Sequence, residues 1–309
     1  MSEQKIRGKC PKCGEMLEIP QGLEKFSCLY CGAKLVLDEL AMEYPEGNFD
    51  EAMANYKAHM LDAMWDYERC QKDFTRKKYT GAFADFKQTV RGPFTQLDLA
   101  CRLRPLERET VLTDAVTAFL DGLQSVLEAD KRWKHRGQQE RVLFDVKFAV
   151  ALYLVPAVRD LELSISEDFA AQLHTQWEQR YPKSPYQSGT YADISEGFRK
   201  GKLCFITTAV CREEGKPDDC AELTAFRTFR DGYLSACADG QALIEEYYNI
   251  APAIVTCIDL CDDAPAVYRA LRQDYLTPCY QDILQGNPEA CENRYVQMVR
   301  KLQNRYFSA

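Results

Sequence analysis

A chain of 309 residues, 46% of them hydrophobic, is long enough to bury a sizeable core and to divide into two or three domains. Its 39 Lys and Arg against 47 Asp and Glu leave a net charge of −8, so the body repels nucleic acid and anionic membranes. The longest apolar run, Phe148 to Val158, spans eleven residues and contains Pro156, which is too short for a bilayer.

The opening residues are polar and carry no signal-peptide pattern. Two cysteine pairs follow, Cys10-Pro-Lys-Cys13-Gly14 and Cys28-Leu-Tyr-Cys31-Gly32, with fourteen residues between them. A two-residue gap bends the backbone so that both thiolates of a pair reach one ion, and this spacing is that of a structural four-cysteine zinc site. Glycine after each pair suits a knuckle turn, where positive φ aims amide N–H groups back at sulfur. Residues 1–40 are too few for a self-sufficient core, so Zn2+ must supply much of the folding free energy. Four thiolates leave no open coordination position, which makes the expected ion structural and not catalytic. The filler is Met16, Leu17, Ile19, Leu23, Phe26, Leu35 and Val36, with Pro20-Gln-Gly22 as a turn between short strands.

The ribbon is expected to give way to the body between Asp38 and Gly47. Asn48 caps a long helix on which Met53, Tyr56, Met60, Met64 and Tyr67 recur at three and four residues. Leu112, Val116, Phe119, Leu120, Leu123 and Leu127 form a second apolar stripe. Phe144, Phe148, Leu152 and Val155 form a third, which Pro156 kinks or ends. Ser164 or Ser166 caps the helix of Phe169, Leu173 and Trp177, and Tyr181 to Gly189 reads as a loop. Thr190 with Asp193 makes a capping box. Strand-like alternation is nearly absent after the ribbon. The expected fold is mainly α: a small N-terminal β zinc ribbon (1–40), then an all-α body with helical domains at 48–200 and 201–309.

A second informative stretch reads Cys204-Phe-Ile-Thr-Thr-Ala-Val-Cys211, then Phe229-Arg-Asp231, then Tyr247-Tyr248 and Ala251-Pro252. In that order these segments resemble the bacterial CFI-box family, over residues 203–258. Members often continue the box with Ala-Tyr-Gly-Ser, where this chain has Ala209-Val210-Cys211. What the resemblance implies is a shared helical unit more than a chemical activity. If the box is helical, Cys204, Thr207, Thr208 and Cys211 share one face, and either threonine can bond back to a carbonyl one turn earlier. Cys257 and Cys261 repeat the i, i+4 spacing, so paired helices could hold a second metal. Buried cysteine acting as a small apolar residue is the plainer reading. Arg227 and Asp231 are spaced to pair along a helix, and Tyr247 and Tyr248 to pack a turn before Pro252.

Catalytic signatures are sparse. The three histidines, His59, His135 and His174, lack metal-ligand spacing, and Gly197 to Lys202 lacks the spacing of a phosphate loop. His174 is the nearest partner along the chain for a Cys204 or Cys211 nucleophile. The expectation is therefore a non-catalytic interaction protein, whose partner is a protein. Fourteen cysteines, four of them required as thiolates, place it in a reducing cytoplasm. The alternative is a thiol-dependent enzyme or redox-responsive protein using Cys204 and Cys211. A weaker one is nucleic-acid binding through Lys5, Arg7, Lys9 and Lys12. Between Met1 and Leu35, six Lys and Arg stand against four Asp and Glu, an excess of only two.

Overall fold

The computed structural model describes residues 5–20, 23, 25–37, 41–42, 47–199 and 204–307. It is mainly α, with a small N-terminal β unit followed by a helical body. β1 (Lys5–Lys9) and β2 (Met16–Pro20) form an antiparallel hairpin closed by the first cysteine knuckle. β3 (Lys25–Ser27) and β4 (Lys34–Val36) form another, closed by the second. A two-residue strand, β5 (Ala41–Met42), joins the free edge of β1. Leu17 and Ile19 alternate inward along β2 and meet Leu35, Cys10 and Cys28 in a separate small core. Leu23 does not join them. It lies between strands, outside their alternation, and is 43% exposed. Gln21 and Gly22 of the expected turn, and most of the expected boundary at 38–47, lie outside the described residues.

The body begins as its capping signal predicts. α1 (Phe49–His59) starts on Asn48, whose side chain accepts from the Glu51 N–H at 3.0 Å. It does not run on to Tyr67. The chain tightens into a 3-10 turn at Asp62–Met64 before α2 (Tyr67–Lys72). There Leu61 presses onto α4 so closely that a Cβ on Gly122 would meet its Cδ1 at 2.5 Å. α3 (Tyr79–Leu103) and α4 (Arg108–Ala129) pass through the core, and the expected stripe from Leu112 to Leu127 is buried on α4. α5 (Gln139–Ala149) widens into a π turn at Val150–Leu154 and continues as α6 (Val155–Asp160). Pro156, lacking an N–H, sits in the first turn of α6, directly after the π turn that shifts the helical register, so the helix does not end at the proline.

α7 (Ser166–Arg180) buries Phe169, Leu173 and Trp177. Neither expected serine caps it: Ser166 Oγ donates to the Val158 carbonyl at 2.6 Å, and Ser164 Oγ donates to Asp98 at 2.6 Å. The Thr190–Asp193 capping box does form, with reciprocal bonds of 3.0 and 3.2 Å at the head of α8 (Tyr191–Arg199). Beyond lie α9 (Phe205–Glu213), α10 (Ala221–Thr228) and α11 (Gly240–Asp259). α12 (Ala264–Leu271), α13 (Thr277–Leu284) and α14 (Pro288–Phe307) complete the body.

One aromatic hub anchors the first half of the body. Phe74, fully buried, is met by Tyr79 at 4.9 Å and by Phe148 and Phe198 at 5.1 Å each. The boundary drawn at residue 200 falls on 200–203, outside the described residues. Helices on either side of it share a continuous buried cluster running from Ala52 to Tyr306. Polar contacts cross as well. Lys147 Nζ donates to Asp262 at 3.2 Å, and Arg141 donates to the Tyr306 carbonyl at 3.0 Å. Among the described residues, no helix is long and apolar enough to cross a membrane.

Candidate metal centre

Each CxxCG sequence folds into the same local turn. Cys10 donates its N–H to the Glu15 carbonyl at 2.9 Å, and Gly14 donates to the Cys10 carbonyl at 2.8 Å. Eighteen residues on, Cys28 donates to Ala33 at 2.8 Å and Gly32 to Cys28 at 2.9 Å. Gly14 has φ of 77° and Gly32 of 72°, the left-handed region that an L side chain enters at a cost. The Lys12 N–H points at Cys10 Sγ from 3.4 Å, as the knuckle reading requires.

The two hairpins lie in separate sheets and share one small core of Leu17, Ile19, Leu35, Cys10 and Cys28, and their knuckles come together there. Cys10 Sγ lies 3.8 Å from Cys31 Sγ, and Cys13 Sγ lies 3.7 Å from Cys28 Sγ. All four sulfurs fall within 4.8 Å of one another, placed to hold a metal ion. Cys10 and Cys28 are buried, Cys13 and Cys31 exposed, so the ion would sit at the ribbon's surface. The backbone N–H groups of Cys31 and Tyr30 help to pull the Cys28 thiol down to about 7. Cys13 accepts from the Glu15 backbone N–H, but partial loss of water around the sulfur and the three neighbouring sulfurs push it up to about 12. Lys9 and Lys12 of the basic patch are exposed, while the side chains of Lys5 and Arg7 lie outside the described residues.

The downstream cysteines are arranged differently. Cys204 is the N-cap of α9 and Cys211 lies two turns later, about 10 Å along the axis, too far apart to form a disulfide. Burial, opposed first by Arg230, raises the Cys204 thiol, and burial followed by Glu222 and Cys220 pushes Cys211 up to about 12. Both thiols are therefore uncharged at neutral pH. His174 pairs instead with Glu178 at 3.5 Å and packs edge-on against Tyr186, and no histidine lines the Cys204 cavity. Cys257 and Cys261 do not complete a second centre. Cys261 lies past the end of α11 and its Sγ donates to the Cys257 carbonyl at 3.3 Å. Among the described residues, the ribbon cysteines are the one group of three or more such ligands placed to hold a metal.

Several finer expectations change here. Neither box threonine bonds back along the helix: Thr207 Oγ1 meets the Tyr295 hydroxyl at 3.2 Å, and Thr208 Oγ1 is buried without a partner. Arg227 pairs with Asp218 at 2.8 Å, and Asp231 pairs with Arg230 at 2.7 Å. The cause is a π turn at Phe229–Tyr233, which turns Asp231 away from the i, i+4 position facing Arg227. Tyr247 and Tyr248 do not pack a turn. They lie inside α11, which continues through Pro252. Sequence reasoning missed Tyr295 and Val299 of α14, which close around Cys204 from the far end of the chain; only the apolar stripe of α14 hinted at them. No protein-family profile, no curated protein and no solved structure matches this chain.

Proposed function

We propose that the chain is a zinc-binding interaction protein of the cytoplasm that performs no chemistry of its own, with the ribbon as a rigid recognition head on an acidic helical body. The observation that carries this reading is the pair of sulfur separations, 3.7 and 3.8 Å. Four Zn–S bonds of about 2.3 Å at tetrahedral angles require sulfurs about 3.8 Å apart. Sulfur then fills every position, leaving none for a substrate or an activated water. The residues inside the second knuckle favour a protein partner: Leu29 is 90% exposed and Tyr30 66% exposed. All fourteen cysteines are unpaired, which supports a reducing compartment. Membership of residues 203–258 in the CFI-box family is part of the same proposal, although Leu203 lies outside the described residues. The burial of Cys204 and Cys211 counts against the thiol-enzyme alternative.

Elemental analysis of the purified full chain tests the metal. One zinc per chain is expected, and none in a Cys10→Ser, Cys28→Ser double variant. Two zincs, another metal, or zinc retained by the double variant would end the reading. A photo-crosslinking side chain at position 29 tests the partner class: capture of nucleic acid instead of protein would overturn the interaction role assigned to the ribbon.

A further inference from the structure

Three stretches singled out in the sequence, Cys204-Phe-Ile206, Phe229-Arg-Asp231 and Tyr247-Tyr248, lie on three different elements and meet at one cavity. Cys204 reaches it from the head of α9, Phe229 and Arg230 from the π turn, and Tyr247 from α11. Such π turns recur where a helix has been re-aimed for a purpose. Most of the remaining wall is aliphatic or aromatic, chiefly Leu243, Ile244 and Val299. The cavity measures about 80 Å³.

Its polar groups are already engaged. Arg230 holds both carboxylate oxygens of Asp231, at 2.7 and 2.8 Å, and turns Nη1 toward Cys204 Sγ at 3.9 Å. The Tyr247 hydroxyl accepts from the Ile206 N–H at 3.1 Å and from the Tyr295 hydroxyl at 3.2 Å. Thr207 Oγ1 continues that chain. The other charged lining residues, Glu246 and Arg300, are exposed and of opposite sign. No unbalanced charge is left to attract an ion, and a charged guest would lose its hydration with little in return. What the wall offers is apolar surface.

We propose that this cavity is a binding site for a small uncharged aliphatic molecule, seated between the Phe229–Tyr233 turn, α11 and α14 with Cys204 in its wall. The volume is roughly half that of a ~150 Å³ apolar cavity known to stay dry and take up benzene, which points to a guest of about four carbon atoms. The site is independent of the ribbon and of any role assigned to it.

Methyl-detected NMR of the full-length, metal-loaded protein tests this with two probes sharing one carbon skeleton, isobutyl alcohol and isobutyrate. The alcohol is expected to shift the Ile244, Leu243 and Val299 methyl signals saturably, at least tenfold more tightly than the carboxylate. Xenon should perturb the same methyls. Val299→Phe fills the cavity from α14 and should abolish the shifts. Leu243→Phe does so from a half-buried position that tolerates bulk, so one filled variant remains if the other misfolds. The proposal falls if neither the alcohol nor xenon gives a saturable shift. It also falls if isobutyrate binds as well as the alcohol, or if the shifts survive in a folded, filled variant.

Discussion

Four sulfurs of the ribbon lie within 4.8 Å of one another, with backbone N–H groups beside them and two of the four facing water. In the body, Cys204, Cys211 and Cys257 are each buried apart from the others. The same residue thus plays two parts. Where the backbone gathers thiols around a point and few apolar groups lie near, ordering them depends on a metal. Where helices bury them one by one, burial holds the proton on sulfur and cysteine packs as a small apolar side chain. The two regions also differ in what holds them together. The ribbon buries Leu17, Ile19 and Leu35 beside two cysteines, whereas the body's cluster spans most of the chain.

Removing the metal should separate the two regions most sharply. Thorough chelation, or Cys10→Ser with Cys28→Ser, removes a binding energy on the order of 10 kcal/mol that doubles as the ribbon's folding energy. The expected outcome is collapse of ribbon amide dispersion by NMR with helical circular dichroism nearly unchanged. A ribbon that stays ordered without metal, or a body that melts with it, would break the distinction.

The reverse experiment is Phe74→Ala. It empties the aromatic hub and should cost the body about 3–5 kcal/mol in urea unfolding, with metal content unaltered. A loss under about 1 kcal/mol would show that the hub is not a centre of stability.

Acid gives a smaller effect. Arg132 is the largest influence holding the Asp130 carboxyl at about 2, with Tyr67 donating to it as well. Because the folded pKa lies below the unfolded value of about 3.9, the contribution is complete above about pH 5 and fades as pH falls toward 2. Asp130 is 11% exposed, and after solvent screening about 1–2 kcal/mol is expected. Asp130→Asn should flatten stability against pH over that window, and an unchanged slope would rule the contribution out.

The smallest effect on stability belongs to the knuckle tip. Leu29→Ser and Tyr30→Ser should change melting by no more than about 0.5 kcal/mol and leave metal content intact, since both side chains stand in solvent. Loss of a protein captured through position 29 in either variant would sharpen the proposed recognition role, and unaltered binding of it in both would remove that role.

Short-range patterns determined much of this protein in advance. The CxxCG pairs encode the knuckles because two-residue spacing and a left-handed glycine are local demands. Asn48 and the Thr190–Asp193 box announce helix starts because a cap bonds only within its own first turn. The stripe from Leu112 to Leu127 was legible for the same reason: helical periodicity marks a buried face. α3 carries a comparable stripe, Phe83, Phe86, Val90, Phe94 and Leu97, but Gly92 and Pro93 inside it masked the helix.

Periodicity does not say which faces meet. Gly122 admitting Leu61, Phe74 entering the aromatic hub from a loop, and Arg227 leaving Asp231 for Asp218 were settled only by tertiary packing. The meeting of Cys204, Arg230 and Tyr247 with Tyr295 and Val299 was likewise settled there. Each of these depends on helices far apart in sequence, or on a local change of helical pitch that brings one residue's neighbours out of step. Such choices are made by the fit of whole surfaces, where burying one side chain well can outweigh the pairing its own helix would prefer.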